Sequence, residues 1–204
     1  DALGIKAVDF EKQKVDMESL YSGWKEIEVS AKEIDGFYEK KFFVTKQNNL
    51  FPNQYVLLKD GSAAKHSAMG RYDAKQKRVV LLKSDQADAW GIKPRNKEQA
   101  IALDLLMDDN IKLVTLVGAA GTGKTLLALA AGLKKTVDEH GYKRILVSRP
   151  VIPMGRDIGY LPGTKEEKLI NWMQPIYDNL EYILTIRKRK EHVDGLIECD
   201  LLQL

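Results

Sequence analysis

Apolar and polar positions alternate through the first third of the chain, and the rhythm changes near its middle. "WKEIEV" (24–29) alternates strictly, "NQYVLLKDGS" (53–62) runs into an Asp60-Gly61 turn, and "KRVVLLK" (77–83) is a short apolar run. Period-2 stretches bounded by turn residues predict strands, with Gly70 inside a further one. "AKEIDGFYEK" (31–40) reads as one helical turn between them. Several short strands with tight turns predict a small antiparallel barrel over residues 16–84.

"SDQADAWGIKP" (84–94) has no period and ends on Pro94, so residues 85–95 read as a linker. A period near 3.6 begins after it. "NKEQAIALDLLMDD" carries Ile101, Leu105 and Leu106 on one helical face behind Asn96, a side chain suited to an N-cap. "IKLVTLV" (111–117) predicts a buried strand, "KTLLALAAGLKKTVDEH" a second helix closed by Gly141, and "KRILVS" another strand. Strand, helix, strand in that order predicts a parallel sheet with helical crossovers. Further on, Thr164 and Glu167 form a T-x-x-E capping box. The helix it opens carries Leu169, Trp172, Ile176, Leu180 and Ile183 on one side, and Pro175 is expected to kink it.

Composition narrows the picture less than pattern does. With 204 residues, 44% of them hydrophobic, the chain can bury a real core beside a small second module. Its net charge of +3, from 32 basic and 29 acidic residues, does not announce a nucleic-acid binder. Cys199 is the single cysteine, so no internal disulfide can form, which fits a reducing cytoplasm. No apolar run reaches the roughly 20 residues that span a bilayer. The chain opens on Asp1 and closes on the apolar "ECDLLQL", so it reads as an internal piece of a longer protein.

Chemistry concentrates in Gly118, Ala119, Ala120, Gly121, Thr122, Gly123, Lys124 and Thr125, which spell G-x-x-x-x-G-K-T between a predicted strand and a predicted helix. Glycines there let backbone N–H groups point inward around phosphate oxygens, at the positive end of the helix. Lys124 is expected to reach the β- and γ-phosphates of ATP, and the Thr125 hydroxyl to ligate Mg²⁺. The plain alternative is a glycine-rich turn with an exposed lysine. Gln99 suits the N6/N7 edge of adenine, or else is a surface glutamine of an amphipathic helix.

Other clusters leave two readings open. Arg187 to Lys190 could meet RNA phosphates or simply end a helix with charge. Lys59, Lys65, Arg71, Lys77 and Arg78 with Tyr55 and Tyr72 could form a platform for a single strand, or a solvated sheet surface. His66, His140 and His192 are scattered, which argues against a metal site.

"PRNKEQ" followed by "GAAGTGKT" resembles the Q-motif and motif I of superfamily-1 helicases, and "SRPVIPMGRDIGYLPGTKEEKL" resembles the PhoH-like ATPases. The likeness spans Lys93 to about Tyr182. It implies an α/β P-loop NTPase fold, partial here, over residues 96–204. It also implies Gln99 as an adenine contact and Ser148, Arg149 and Pro150 as contacts to single-stranded RNA. The activity it implies is ATP hydrolysis coupled to RNA unwinding or remodelling, often by a ring of identical subunits such as a hexamer. Residues 1–15, with "DALGIKAVDF", look like the tail of a PIN nuclease domain.

Departures from the family pattern matter equally. No hydrophobic strand ending in an acidic pair follows the second predicted strand, and "LIECD" (196–200) has too short an apolar run to serve. Catalytic residues therefore stay unassigned, and this chain is expected to bind ATP while hydrolysing little of it. Two rivals remain: a small-molecule P-loop kinase, and a nucleotide-gated RNA-binding or assembly module. The kinase calls for an acidic substrate-binding residue near "RILVSRP", where arginine and proline stand instead.

Overall fold

The computed structural model describes residues 21–45, 49–61, 66–82, 88–149, 165–187, 193–198 and 200–203, with 165–172 by backbone alone. The expected nuclease tail, Lys65, Pro150, the G-x-L-P-G segment, Thr164, Lys188 to Lys190, His192 and Cys199 lie outside them, as do the side chains of Leu169 and Trp172. The chain divides into two compact units, Asp1–Leu82 and Lys83–Leu204.

In the first unit, alternation produces a sheet that packs a helix on one face. Strands β1 (Trp24–Val29), β2 (Phe42–Phe43), β3 (Tyr55–Asp60), β4 (Ser67–Asp73) and β5 (Arg78–Leu81) assemble in the order β1-β3-β4-β5-β2. The β1–β3 pair is parallel and the rest antiparallel, so the expected antiparallel barrel is instead a mixed open sheet. A parallel pair needs a crossover, and helix α1 (Ala31–Lys40) lies in that connection. Ser30 and Glu33 supply the S-x-x-E box that starts α1, which makes it a ten-residue helix rather than one turn.

Helix α1 buries Ile34 and Phe37 against Ile27, Val56, Leu58, Ala68 and Val79. Each of the Ile, Phe, Val and Leu side chains contributes roughly 1.5–3 kcal/mol by leaving water. Close approach depends on Gly70: a Cβ there would stand 2.6 Å from Phe37 Cζ and 2.5 Å from the Val80 carbonyl oxygen.

The same register takes apart the expected single-strand platform. Tyr55 pairs with Arg71 across β3 and β4, so the neighbouring Tyr72 points to the opposite face and packs on the α1 core. Tyr55 is fully buried, and the Lys59 ammonium is 2.7 Å from Glu26 Oε2.

The second unit is built on helices α2 (Lys97–Met107), α3 (Lys124–Leu133), α4 (Lys165–Ile186) and α5 (Val193–Glu198). Strands β6 (Ile145–Leu146) and β7 (Leu202–Gln203) form a short parallel pair. Leu103, Leu127, Ala130, Leu133, Leu180, Ile183 and Leu196 make the core, and α4 runs through Pro175. Gly132 lets α3 close on β6, since a Cβ there would lie 3.3 Å from Ile145 Cδ1.

Three expectations change here. Residues 111–117 form no strand, because a strand exists only when paired; Val114 and Leu116 are half-buried while Leu113 and Val117 are 83% and 64% exposed. Ala89, Trp90 and Ile92, expected in a linker, lie in the core of this unit, where Ala89 and Ile92 exchange backbone hydrogen bonds around left-handed Trp90 and Gly91. Past α3 the chain widens into a π-helical turn (Lys134–Asp138), and the left-handed residue after it is His140. Gly141 only donates its N–H back to the Lys135 carbonyl.

Candidate nucleotide site

The loop from Gly118 to Gly123 feeds directly into α3. Gly121 (φ 76°) and Gly123 (φ 84°) take the left-handed conformation that glycine adopts without penalty, and Gly123 is the N-cap of α3. No side chain caps this helix, and its first turn holds no acidic residue. The orphan N–H donors of the first turn and the positive end of the helix dipole are thus left for an anion.

Lys124 folds back over the loop. Its Nζ donates to the Gly118 carbonyl (3.0 Å), the Ala119 carbonyl (2.7 Å) and Thr122 Oγ1 (3.2 Å). Thr122 Oγ1 in turn donates to the Ala119 carbonyl at 2.9 Å. These bonds curl the loop around the ammonium and hold the cation where a phosphate would meet it. Thr125 is exposed on the first turn of α3. A hydroxyl there suits Mg²⁺, a hard ion bound through one or two protein oxygens together with substrate phosphates.

Helix α2 delivers Gln99 to the same place. Asn96 caps α2, its Oδ1 accepting from the Gln99 N–H at 2.8 Å. The Gln99 side chain lies between two backbone groups: Oε1 accepts from the Arg95 N–H (2.8 Å), and Nε2 donates to the Thr122 carbonyl (3.2 Å). Those partners fix which end of the amide is oxygen. One acceptor site and one donor site remain on it. The loop and Gln99, 23 residues apart for the bonded pair, are thereby brought together.

Ser148 (exposed) and Arg149 (half-buried) leave the C-terminal end of β6. Of "LIECD", Leu196, Ile197 and Glu198 belong to α5 and Asp200 to a turn. Among the described residues no group of three or more His, Cys, Asp or Glu is placed to hold a metal, and no helix is long and apolar enough to cross a membrane.

A second polar cluster braces the unit from behind. Lys135, nearly buried on the π-helical turn, donates to Asp109 Oδ1 at 2.5 Å, and the Tyr142 hydroxyl approaches the same oxygen at 3.2 Å. The Lys135 hydrogen bond holds the Asp109 carboxyl below its ordinary value. Arg187, at the end of α4, donates to Asp138 Oδ2 at 2.6 Å and lies over the Trp90 ring, 5.7 Å from its centre.

Known proteins match most of this chain. The chain is 47% identical over 195 residues to Protein PhoH2 of Bacillus subtilis, a match covering 94% of the chain and 44% of that protein. It is 35% identical over 182 residues to Protein PhoH2 of Mycolicibacterium smegmatis, covering 88% of the chain and 40% of that protein. A PhoH-like protein of Bacillus subtilis is 34% identical over 92 residues, 45% of the chain and 27% of that protein. The chain thus spans less than half the length of these relatives. No solved structure matches it. Residues 91–203, which contain Gln99, the whole loop and α3, match the family described as PhoH-like protein, and the chain belongs to that family.

Proposed function

We propose that residues 118–125 bind the phosphates of ATP with Mg²⁺, that Gln99 reads the adenine, and that the longer protein couples ATP hydrolysis to RNA remodelling beside a PIN-type ribonuclease domain. Membership of a family of P-loop ATPase type supports the nucleotide half. The RNA half rests on the resemblance at Ser148, Arg149 and Pro150, and the nuclease on that of residues 1–15.

The observation that carries the reading is the edge left on Gln99. Adenine offers an N6 donor beside an N7 acceptor, which complements one acceptor and one donor. Guanine offers acceptors at both O6 and N7, so its O6 would face Oε1. A good bidentate pair discriminates by about 1–3 kcal/mol, and this half-exposed one belongs at the lower end. Lys124 would exchange the Gly118 and Ala119 carbonyls for β- and γ-phosphate oxygens, a charge-assisted contact. Thr125 would supply one oxygen to Mg²⁺, which when bound neutralises charge on the phosphates.

Hydrolysis needs more than the described residues bring to the loop. Every described hydrogen bond at residues 118–125 that involves a side chain runs to Gln99 or to the loop's own groups, and none reaches a carboxylate. Positioning the attacking water and stabilising transition-state charge are worth many powers of ten in rate. This chain should therefore bind ATP and release little phosphate, while the longer protein releases phosphate faster when single-stranded RNA is added. Equal rates from the two, or no response to RNA, would count against the motor reading. Competition between ATP and GTP tests the Gln99 half: ATP should win, and Gln99→Ala should narrow the ratio.

A further inference from the structure

We infer that Gln99 is also a positioning residue for the phosphate loop, locking the Thr122–Gly123 peptide so that its N–H faces the phosphate; this rests on reading 118–125 as a phosphate site. In a trans peptide the carbonyl and the following N–H point in opposite directions. Gln99 Nε2 draws the Thr122 carbonyl outward, toward α2. The Gly123 N–H is thereby turned to the other side, away from Gln99.

Without such a tie this peptide has little to hold it. Gly123 follows it at φ 84° and Gly121 precedes Thr122 at φ 76°, and glycine moves between these and other conformations at low cost. Residues 118–122 are exposed except for their internal bonds. Those internal bonds centre on Lys124 Nζ, and Lys124 must turn from the carbonyls to the phosphate when a nucleotide arrives. The Gln99 bond does not involve Lys124 and does not have to break.

The geometry of Gln99 suits a brace. Its amide is held at the far end by the Arg95 N–H, and Asn96 fixes the helical turn that carries it. It also lies against the glycine it controls: a Cβ on Gly123 would come within 3.4 Å of Nε2. The same side chain would thus set the loop's shape and present its remaining edge to the base. The apparent affinity for phosphate falls by the fraction of molecules whose loop is competent, so removing the brace should weaken phosphate binding even when no base is present.

Inorganic tripolyphosphate separates the two roles, because it has no base to read. The measurement is its dissociation constant, beside that of ATP, for the wild-type chain, Gln99→Ala and Gln99→Met, with amide exchange of residues 119–123 in the free proteins. The expected result is a loss of about two- to twelvefold for tripolyphosphate in both variants, the factor set by one net hydrogen bond. Exchange at Thr122 and Gly123 should quicken, while α2 exchange and the melting temperature stay as in wild type. Unchanged tripolyphosphate affinity and loop exchange, with the ATP preference lost, would overturn the brace and leave Gln99 a reader of adenine. Full affinity in Gln99→Met would overturn it too, since packing without the hydrogen bond would then suffice. If the wild-type chain binds neither ATP nor tripolyphosphate, the phosphate-site reading itself fails and takes the brace with it.

Discussion

Helices α1 and α3 begin with the same problem and resolve it in opposite ways. Each exposes backbone N–H groups that its own turns cannot satisfy. In α1 the answer is internal: Glu33 Oε2 accepts from both the backbone N–H and the hydroxyl of Ser30, each at 2.8 Å, and sets a carboxylate at the positive end. In α3 the cap is a glycine, no acid stands in the first turn, and the first helical residue is Lys124, a cation where the dipole disfavours one. A self-satisfied helix end stabilises its own unit. One left open, with a lysine curled over it, makes physical sense as half of a contact whose other half is an anion.

The largest effect expected from this contrast is at Lys124. Lys124→Ala should weaken ATP binding by about ten- to hundredfold, the loss of a charge-assisted bond worth roughly 1.5–3 kcal/mol. Calorimetry giving equal affinity for the variant would place the anion elsewhere. The counterpart in the other helix is Ser30→Ala, which should cost the first unit about 1 kcal/mol in a thermal or denaturant melt and leave ATP affinity alone. A change in ATP affinity there would mean that the two helix ends do not divide the labour as described.

Smaller effects sharpen the picture of α3. Thr125→Ala should narrow the difference between ATP affinities measured with and without Mg²⁺, while binding of the metal-free nucleotide persists. A full Mg²⁺ advantage in that variant would assign the ion to other oxygens. The smallest effect is at Asp109, which ties the end of α2 to the π-helical turn behind the loop. Its carboxyl is lowered first of all by the Lys135 hydrogen bond. A group lowered on folding contributes above its unfolded value, near pH 4, and the contribution disappears as pH falls through the folded one. Asp109→Asn should flatten the acid side of the stability curve for the second unit. A curve of unchanged shape would show that the tie is slack.

Legibility in the sequence followed how local each feature was. The phosphate loop could be read because its residue types are its geometry: glycines stand where φ is positive, and the lysine opens the helix. Asn96 was equally plain, as the cap and the N–H that donates to it lie three residues apart. The Ser30/Glu33 box is just as local but went unread, and residues 31–40 were expected to make only one turn. Its core residues Ile34 and Phe37 are covered by strands too distant to announce themselves.

What the sequence hid was tertiary. Trp90 and Gly91 look like a break because they are aperiodic, but Arg187, at the far end of α4, lies over the Trp90 ring and tucks the segment into the core. "IKLVTLV" has the composition of a strand, and composition cannot supply the neighbour that a strand requires. The Gln99 to Thr122 bond joins two motifs that sequence reading treats separately.

The central claim is that the open helix end, and not the closed one, receives a triphosphate. Amide hydrogen exchange of this chain with and without ATP and Mg²⁺ tests it most directly. The account predicts protection gathered over residues 118–125 and the first turn of α3, with none gained at Ser30 or the first turn of α1. Exchange that is unchanged over 118–125 at saturating ATP would contradict it.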